Sequence, residues 1–98
     1  MRLRQPKPTP PGLILRELYL PGSGLSITGL AEAIEISRKH MSRIVNGRAR
    51  IEPHIAARLA RVLGTTPDLW LNLQAKLDAY EANQALKRWK PRIKRLAA

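Results

Sequence analysis

The residues with the clearest chemical signal lie between positions 36 and 51. This stretch carries five cations and no Asp or Glu: Arg38, Lys39, Arg43, Arg48 and Arg50. Ordinary exposed surfaces mix both signs of charge, so a run of 16 residues without an acid indicates an anionic partner. Arg and Lys match the acceptor edge of guanine, and Asn matches the edge of adenine. The predicted chemistry is therefore recognition of a nucleic acid.

A helical wheel over residues 37–46 divides this stretch into two faces. Met41, Ile44 and Val45 share the apolar face, which we expect to pack on a core. The opposite and flanking positions carry the predicted base-reading side chains: Arg38, Lys39, Ser42, Arg43 and Asn46. Phosphate contacts are predicted at helix starts and just after this helix, at Ser26, Thr28, Ser37, Arg48 and Arg50.

Five helices are predicted to position these side chains, and no segment has the period-two alternation of a strand. We expect them at residues 11–20, closed by Pro21-Gly22, then at about 27–34, 38–46, 53–63 and 67–90. Ser26 and Ser37 are predicted to cap the second and third helices, and Thr66-Pro67 opens the fifth. The predicted fold class is all-α. The second and third helices have the lengths and the short connection of a helix-turn-helix.

The fifth predicted helix carries the largest apolar side chains. Trp70 and Leu73 are predicted to lie in the core, whereas Asn72 and Gln74 are predicted to lie at the helix surface. A stripe along this helix is predicted to be available to a second subunit: Leu69, Leu73, Leu77 and Tyr80. A two-fold dimer would double the length of DNA that one helix-turn-helix can read, so we expect a homodimer.

The charge distribution predicts three regions. Residues 1–10 form a basic, proline-rich arm, residues 11–85 form the helix-turn-helix domain, and residues 86–98 form a basic tail with six cations. The chain has no cysteine, and its basic start has no apolar run behind it. These features predict a protein without disulfides, signal peptide or membrane span, located in the cytoplasm at the nucleoid.

No catalytic constellation is predicted. His40 and His54 have no partner at the spacing of a metal site or a catalytic triad, and Glu32 and Glu35 lack the burial pattern of an acid/base pair. The segment PGSG lacks the Gly-Lys-Ser of a phosphate-binding loop. We therefore expect neither an enzyme nor a bound metal or cofactor.

Three segments resemble the HigA-type antitoxins of the lambda-repressor-like helix-turn-helix class: PTPPGLILRELYL, LSITGLAEAIEISRKHMSRIVNGRARI and IEPHIAARLARVLGTTPDLWLNLQAKLDAYEA. The resemblance covers about residues 9–82, and its most specific segment is Gly64 to Asp78. It implies a bacterial antitoxin that dimerises, represses its own operon, and binds a HigB-type, RelE-like toxin that cleaves mRNA. It also implies that the third helix enters the major groove, which gives the base-reading role to the same residues of that helix.

Three positions depart from the family pattern. Glu35 stands where Gly is usual in the turn, Ile27 stands where Gln is usual, and Glu52 replaces a common Ser or Thr cap. A left-handed backbone at Glu35 would cost about 1 kcal/mol, so the turn is either distorted or tolerates this residue. Two alternatives stay open: a stand-alone repressor without a toxin, and a basic module that binds RNA or the nucleoid. The small number of aromatic residues weighs against RNA stacking.

Overall fold

The computed structural model describes residues 6–93, and all regular structure in this range is helical. The first helix, α1, consists of three consecutive pieces, Pro11–Ile14, a π-helical turn Leu15–Tyr19, and Leu20–Ser23. The others are α2, Ile27–Ala33; α3, Arg38–Val45; α4, Pro53–Leu63; and α5, Pro67–Leu86. The predicted all-α fold with five helices is confirmed. The outer parts of the predicted arm and tail, residues 1–5 and 94–98, lie outside the described residues.

The end of α1 differs from the prediction. Pro21-Gly22 does not close the helix, which continues to Ser23 and ends at Gly24 in the left-handed conformation, with φ of 75°. Before Pro21 the backbone widens into the π-helical turn, in which the N–H of Leu20 donates to the carbonyl of Leu15. Pro21 then occupies the first turn of the last piece, where its missing N–H is tolerated.

The helix-turn-helix is formed by α2 and α3, as predicted. Ser26 caps α2 by accepting from the N–H of Gly29 at 2.9 Å, and Ser37 caps α3 by accepting from the N–H of His40 at 3.0 Å. Between the helices, Glu35 has a φ of 61°, the one positive value at a non-glycine residue within 6–93. Of the two possibilities for this turn, the structure has the second: the turn is not distorted, and Glu35 takes the left-handed conformation.

The core lies between all five helices. Met41, Ile44 and Val45 of α3 are fully buried, which confirms the predicted apolar face. Trp70 of α5 is also fully buried, and its ring meets that of Tyr19 edge-on, with centroids 5.1 Å apart. The indole N–H of Trp70 donates to the hydroxyl of Thr65 at 2.9 Å, so the one polar group of this buried side chain has a hydrogen-bond partner.

The prediction for Gln74 is wrong. Its side chain is only 5% exposed, whereas a helix-surface position was expected. The reason is a backbone donor: Gln74 Oε1 accepts from the N–H of Ile51 at 2.9 Å in the connection before α4. A buried N–H without a partner is costly, so an amide placed at this point of α5 is favoured over an apolar residue. Helix α5 also ends at Leu86 rather than at about Lys90.

Helix α1 packs against α3 with its backbone close to that of α3. Gly12 is buried in this contact, and a Cβ atom built on Gly12 would overlap the carbonyl oxygen of Ile44. Only a residue without a side chain permits this approach. The relation of α1 to the exposed face of α3 therefore depends on Gly12.

Replacing Gly12 with Ala should lower the free energy of unfolding by roughly 1–3 kcal/mol or more, because the added methyl overpacks rigid backbone. Gly22→Ala is the matched control in the same helix. A Cβ at Gly22 meets nothing within 4 Å, and its φ is not in the left-handed region. This substitution should be neutral or stabilise by up to about 1 kcal/mol. Urea unfolding followed by circular dichroism measures both, and equal effects of the two substitutions would contradict the close contact.

Candidate nucleic-acid interface

The outward face of α3 carries the predicted base-reading residues. Arg38, Lys39, Arg43 and Asn46 are exposed, and Ser42 is half-buried among them. Asn46 follows the last residue of α3 as its C-cap, with its backbone N–H donating to the carbonyl of Ser42. The structure therefore brings the five side chains together on one surface, opposite the buried face of the helix. Their role in base reading stays a prediction.

The N-terminal ends of α2 and α3 are joined by a side-chain hydrogen bond. Arg38 Nε donates to Thr28 Oγ1 at 2.7 Å. Ser26 and Ser37 each use an acceptor lone pair of the hydroxyl for capping. A hydroxyl group keeps its own hydrogen when it accepts, so both serines retain a donor that a phosphate oxygen can accept. Three of the predicted phosphate residues therefore lie at the two helix starts: Ser26, Thr28 and Ser37.

The C-terminal end of α3 is held by a second set of hydrogen bonds. Arg43 Nη2 donates to the backbone carbonyl of Arg48 at 3.3 Å, which ties α3 to the loop after it. Asn46 Nδ2 donates to the carbonyl of Ser42 at 2.8 Å. Arg16 Nη1 of α1 donates to Asn46 Oδ1 at 3.2 Å. The contact with Arg16 was not predicted from the sequence.

Arg48 and Arg50, both predicted to contact phosphate, lie in different environments. Arg48 is exposed in the loop. Arg50 forms a two-pronged pair with Asp78 of α5, at 3.1 and 2.8 Å, and its Nε lies 3.0 Å from Glu52. The Arg50 guanidinium thus joins the loop to α5. Its phosphate contact stays a prediction that must compete with two carboxylates.

The pKa of the Asp78 carboxyl is held below its ordinary value, first by its hydrogen bond with Arg50 and then by that with Gln74. Gln74 Nε2 donates to Asp78 Oδ1 at 3.0 Å while its Oε1 holds the N–H of Ile51. The pKa of Arg50 is raised, mainly by the hydrogen bond with Asp78. Gln74, Asp78 and Arg50 therefore form a chain of polar contacts that fixes the segment between α3 and α4 on α5.

The predicted dimer stripe is largely used within the protein itself. Leu77 is 7% exposed, and Leu69 and Leu73 pack partly buried against the core. Tyr80 is half-buried at the same face of α5. Further along, Leu86 and Trp89 are 57% and 60% exposed. The dimer contact stays a prediction, and the side chains at the end of α5 are the more available ones.

His40 and His54 are both exposed. Within residues 6–93 the His, Asp and Glu side chains form no group of three that could hold a metal ion. In the same range, no helix combines the length and the apolar character that crossing a bilayer requires.

Comparison with known proteins places these features in a family. Residues 2–73 match the model of the family described as helix-turn-helix domain. Among relatives, an uncharacterised HTH-type transcriptional regulator of Haemophilus influenzae is 43% identical over 75 residues, which cover 76% of this chain and 70% of that protein. Antitoxin HigA-1 of Vibrio cholerae is 35% identical over 81 residues, covering 83% of this chain and 76% of that protein.

Solved structures of antitoxins have the same fold as this chain. The antitoxin GraA superposes with a TM-score of 0.77 at 32% identity, covering 89% of this chain and 99% of that chain. The Pseudomonas aeruginosa antitoxin HigA, solved with the higBA promoter, superposes with a TM-score of 0.72 at 33% identity, covering 88% of this chain and 99% of that chain. The second structure shows that a protein of this fold and similarity binds promoter DNA.

The lowered pKa of Asp78 predicts a pH-dependent difference between the wild type and Asp78→Asn. A carboxylate with a depressed pKa in the folded state stabilises the fold fully above its unfolded pKa, and this stabilisation is lost as pH falls through the folded pKa. The pair is partly exposed, so we expect a difference of at most about 1 kcal/mol near neutral pH, reduced by salt.

Unfolding free energies of both proteins between pH 7 and pH 2 measure this difference. The wild type should be the more stable near pH 7, and the two curves should converge at the acidic end. The control is the same substitution in an Arg50→Ala background, where Asp78→Asn removes no ion pair with Arg50 and the difference between the two curves should be smaller. Parallel curves for the wild type and Asp78→Asn would contradict a stabilising pair with Arg50.

Proposed function

The chain belongs to the helix-turn-helix family and to its HigA-type antitoxins, and we propose that it binds operator DNA through α3 and represses its own operon. The observation that carries the proposal is the outward face of α3, which presents cations together with amide and hydroxyl groups. Hydrogen bonds to neighbouring segments hold this face at both ends of the helix. The structure of a relative solved with promoter DNA supports the same use of the fold.

In this proposal, contacts with base edges and contacts with phosphates have different roles. Side chains along the outward face of α3 read base edges in the major groove: Arg38, Lys39, Ser42, Arg43 and Asn46. Groups at the helix starts and in the loop contact phosphates and set the register of the protein on the duplex: Ser26, Thr28, Ser37, Arg48 and Arg50. Arg48 and Arg50 are both exposed, but Arg48 is the stronger phosphate candidate because it forms no ion pair within residues 6–93. Arg50 must leave its carboxylate partners.

We propose that the protein acts as a homodimer and has a toxin partner of the HigB or RelE-like class. A single α3 of eight residues reads few base pairs, so two copies on an inverted repeat are needed for a specific site. The toxin partner is supported by the antitoxin names of the relatives. The protein is proposed to be a binding protein without catalytic activity that works in the cytoplasm at the nucleoid.

A second candidate function is a stand-alone repressor without a toxin. It is favoured by the Haemophilus influenzae relative, which is described as a transcriptional regulator rather than as an antitoxin. The reading frame beside the gene separates the two functions. If the neighbouring gene encodes a toxin, its expression alone should stop the growth of the host cells, and co-expression with this protein should restore growth. The two proteins should then also purify together. If this protein works alone, neither result is expected.

Arg43→Ala and Arg48→Ala should separate base reading from phosphate binding. Loss of Arg43 should cost roughly 1–3 kcal/mol on the operator and little on scrambled duplex, because a base contact carries sequence information. Loss of Arg48 should weaken binding to both duplexes similarly. It should also reduce the slope of log K against log salt by about 0.9 per lost phosphate contact. Affinities over a salt series on both duplexes measure the two effects.

Arg43→Ala also removes the hydrogen bond to the Arg48 carbonyl and so needs a control that keeps a donor at position 43. Arg43→Lys retains the charge but loses the planar fork, so it should keep affinity for random duplex and lose operator preference. If Arg43→Ala weakens binding equally on operator, scrambled duplex and single-stranded RNA, α3 is not reading bases. A preference for single-stranded RNA would instead support the basic RNA-binding module.

Sedimentation equilibrium should find a dimer at micromolar concentration, and the dimer should bind an inverted repeat as two chains per duplex. The physical reason is that two weak half-site contacts add in free energy when the subunits are joined. A monomer that binds the intact repeat with one chain per duplex would contradict the proposed dimer, while leaving the DNA-reading face of α3 untouched.

A further inference from the structure

Arg16 lies outside the helix-turn-helix, yet its side chain reaches the reading helix. In the π-helical turn of α1, Arg16 Nη1 donates to Asn46 Oδ1 at 3.2 Å. The other side of the same guanidinium faces Glu17, with Nε and Nη2 at 3.0 and 2.9 Å from Glu17 Oε1. One planar fork therefore bridges an acid of α1 and the amide at the end of α3.

The chemistry of its neighbours fixes the orientation of the Asn46 amide. A guanidinium can only donate, so the atom of Asn46 that faces Arg16 must be the oxygen. A backbone carbonyl can only accept, so the atom that faces the carbonyl of Ser42 at 2.8 Å must be the nitrogen. With both contacts in place, the reversed orientation would set donor against donor and acceptor against acceptor.

The held amide keeps the capacity to read a base. The Asn46 oxygen has a second lone pair that the contact with Arg16 does not use. The nitrogen has a further contact, to Ser42 Oγ, which at 3.4 Å is long enough for the acceptor of a base to replace it. Bidentate recognition of adenine requires one acceptor and one donor in a fixed order, accepting from N6 and donating to N7. A single amide orientation presents that order before DNA arrives, which avoids the cost of ordering a free side chain on binding.

Two features of α1 aim Arg16 at this point. The π-helical turn Leu15–Tyr19 shifts the direction of the residues within it relative to a regular α-helix. Gly12, one turn earlier, allows the backbone of α1 to approach α3 closely. The two helices are thus near enough, and Arg16 is turned far enough, for a contact between residues that are 30 positions apart in the sequence.

We propose that Arg16 is a positioning residue that determines specificity at the base pair facing Asn46, and that Glu17 holds Arg16 for this purpose. The proposal rests on the proposed reading of DNA by α3. In it, Arg16 acts through the amide of Asn46 and does not contribute a phosphate contact of its own. Sequence preference at one base pair is therefore set partly by a side chain of α1.

The test begins with selection from a randomised duplex library by the wild-type protein, which defines the preferred site. Affinities are then measured on that site and on duplexes with each single base pair replaced, for Arg16→Ala, Asn46→Ala and the double variant. A specific contact discriminates against a wrong base pair by roughly 5- to 150-fold. Arg16→Ala should reduce discrimination most at the position where Asn46→Ala does, and the double variant should lose no more than Asn46→Ala alone.

Two conservative variants keep the test valid if Arg16→Ala unfolds. Arg16→Lys can donate to Asn46 Oδ1 and should restore part of the discrimination. Glu17→Gln leaves Arg16 in place but loosens its anchor, and should reduce discrimination at the same position while binding to random duplex strengthens or stays equal. Arg61→Ala removes the same charge from an exposed position of α4 and should change no base preference.

The outcomes separate this inference from the function on which it rests. If the wild type enriches no sequence, the proposed DNA reading itself fails. If it enriches a site but Asn46→Ala alters no position, or Arg16→Ala leaves the preference at the Asn46 position intact, the inference is overturned. A third outcome would also overturn the inference. In it, Arg16→Ala weakens binding to all duplexes equally, the salt dependence of binding becomes smaller, and the effects of the two substitutions add in the double variant. Arg16 would then be an ordinary phosphate contact.

Discussion

The close approach of α1 to α3 is the constraint on which the proposed DNA surface depends. A methyl group at Gly12 would overlap the Ile44 carbonyl, so the distance between the two backbones is set by the absence of a side chain. Ile44 and its neighbours on the inner face of α3 are fully buried beneath this contact. Because α3 cannot roll without breaking that packing, its outward face has one orientation relative to the rest of the domain.

The opposite side of the surface is fixed by polar contacts rather than by apolar packing. Gln74 of α5 holds the N–H of Ile51 and the carboxylate of Asp78, and Asp78 holds Arg50. This chain ties the loop after α3 to the longest helix of the domain. The loop carries Arg48, so the position of an exposed cation depends on an amide that lies buried on another helix. An apolar residue at position 74 would fill the space but leave the Ile51 N–H without a partner.

The sequence predicted the parts of the fold that depend on local patterns. Periodicity placed the five helices, and the hydroxyl caps marked the starts of α2 and α3. The family pattern identified Glu35 as an unusual turn residue but left open whether the turn is distorted. The sequence could not predict contacts between distant positions. The pairs Arg16–Asn46, Arg50–Asp78 and Ile51–Gln74 are separated by 30, 28 and 23 residues, and nothing in the local sequence of either partner indicates the other. The predicted end of α1 at Pro21 was wrong because the π-helical turn before this residue lets the helix continue through it.

The same long-range contacts change the meaning of the charge run between residues 36 and 51. Five cations in the sequence suggest five equal attractions to a polyanion. In the fold, Arg50 is paired with carboxylates, Arg38 is bonded to the Thr28 hydroxyl, and Arg43 is bonded to a backbone carbonyl. A cation already facing carboxylates gains less from a phosphate than a cation without a carboxylate partner, since it must exchange one anion for another. The salt dependence of DNA binding should therefore count fewer phosphates than the charge run contains cations, because counterion release follows the cations that meet phosphate and not the number encoded. Charge density along the sequence indicates that the partner is an anion; the hydrogen bonds of the folded state determine which of those charges are available to it.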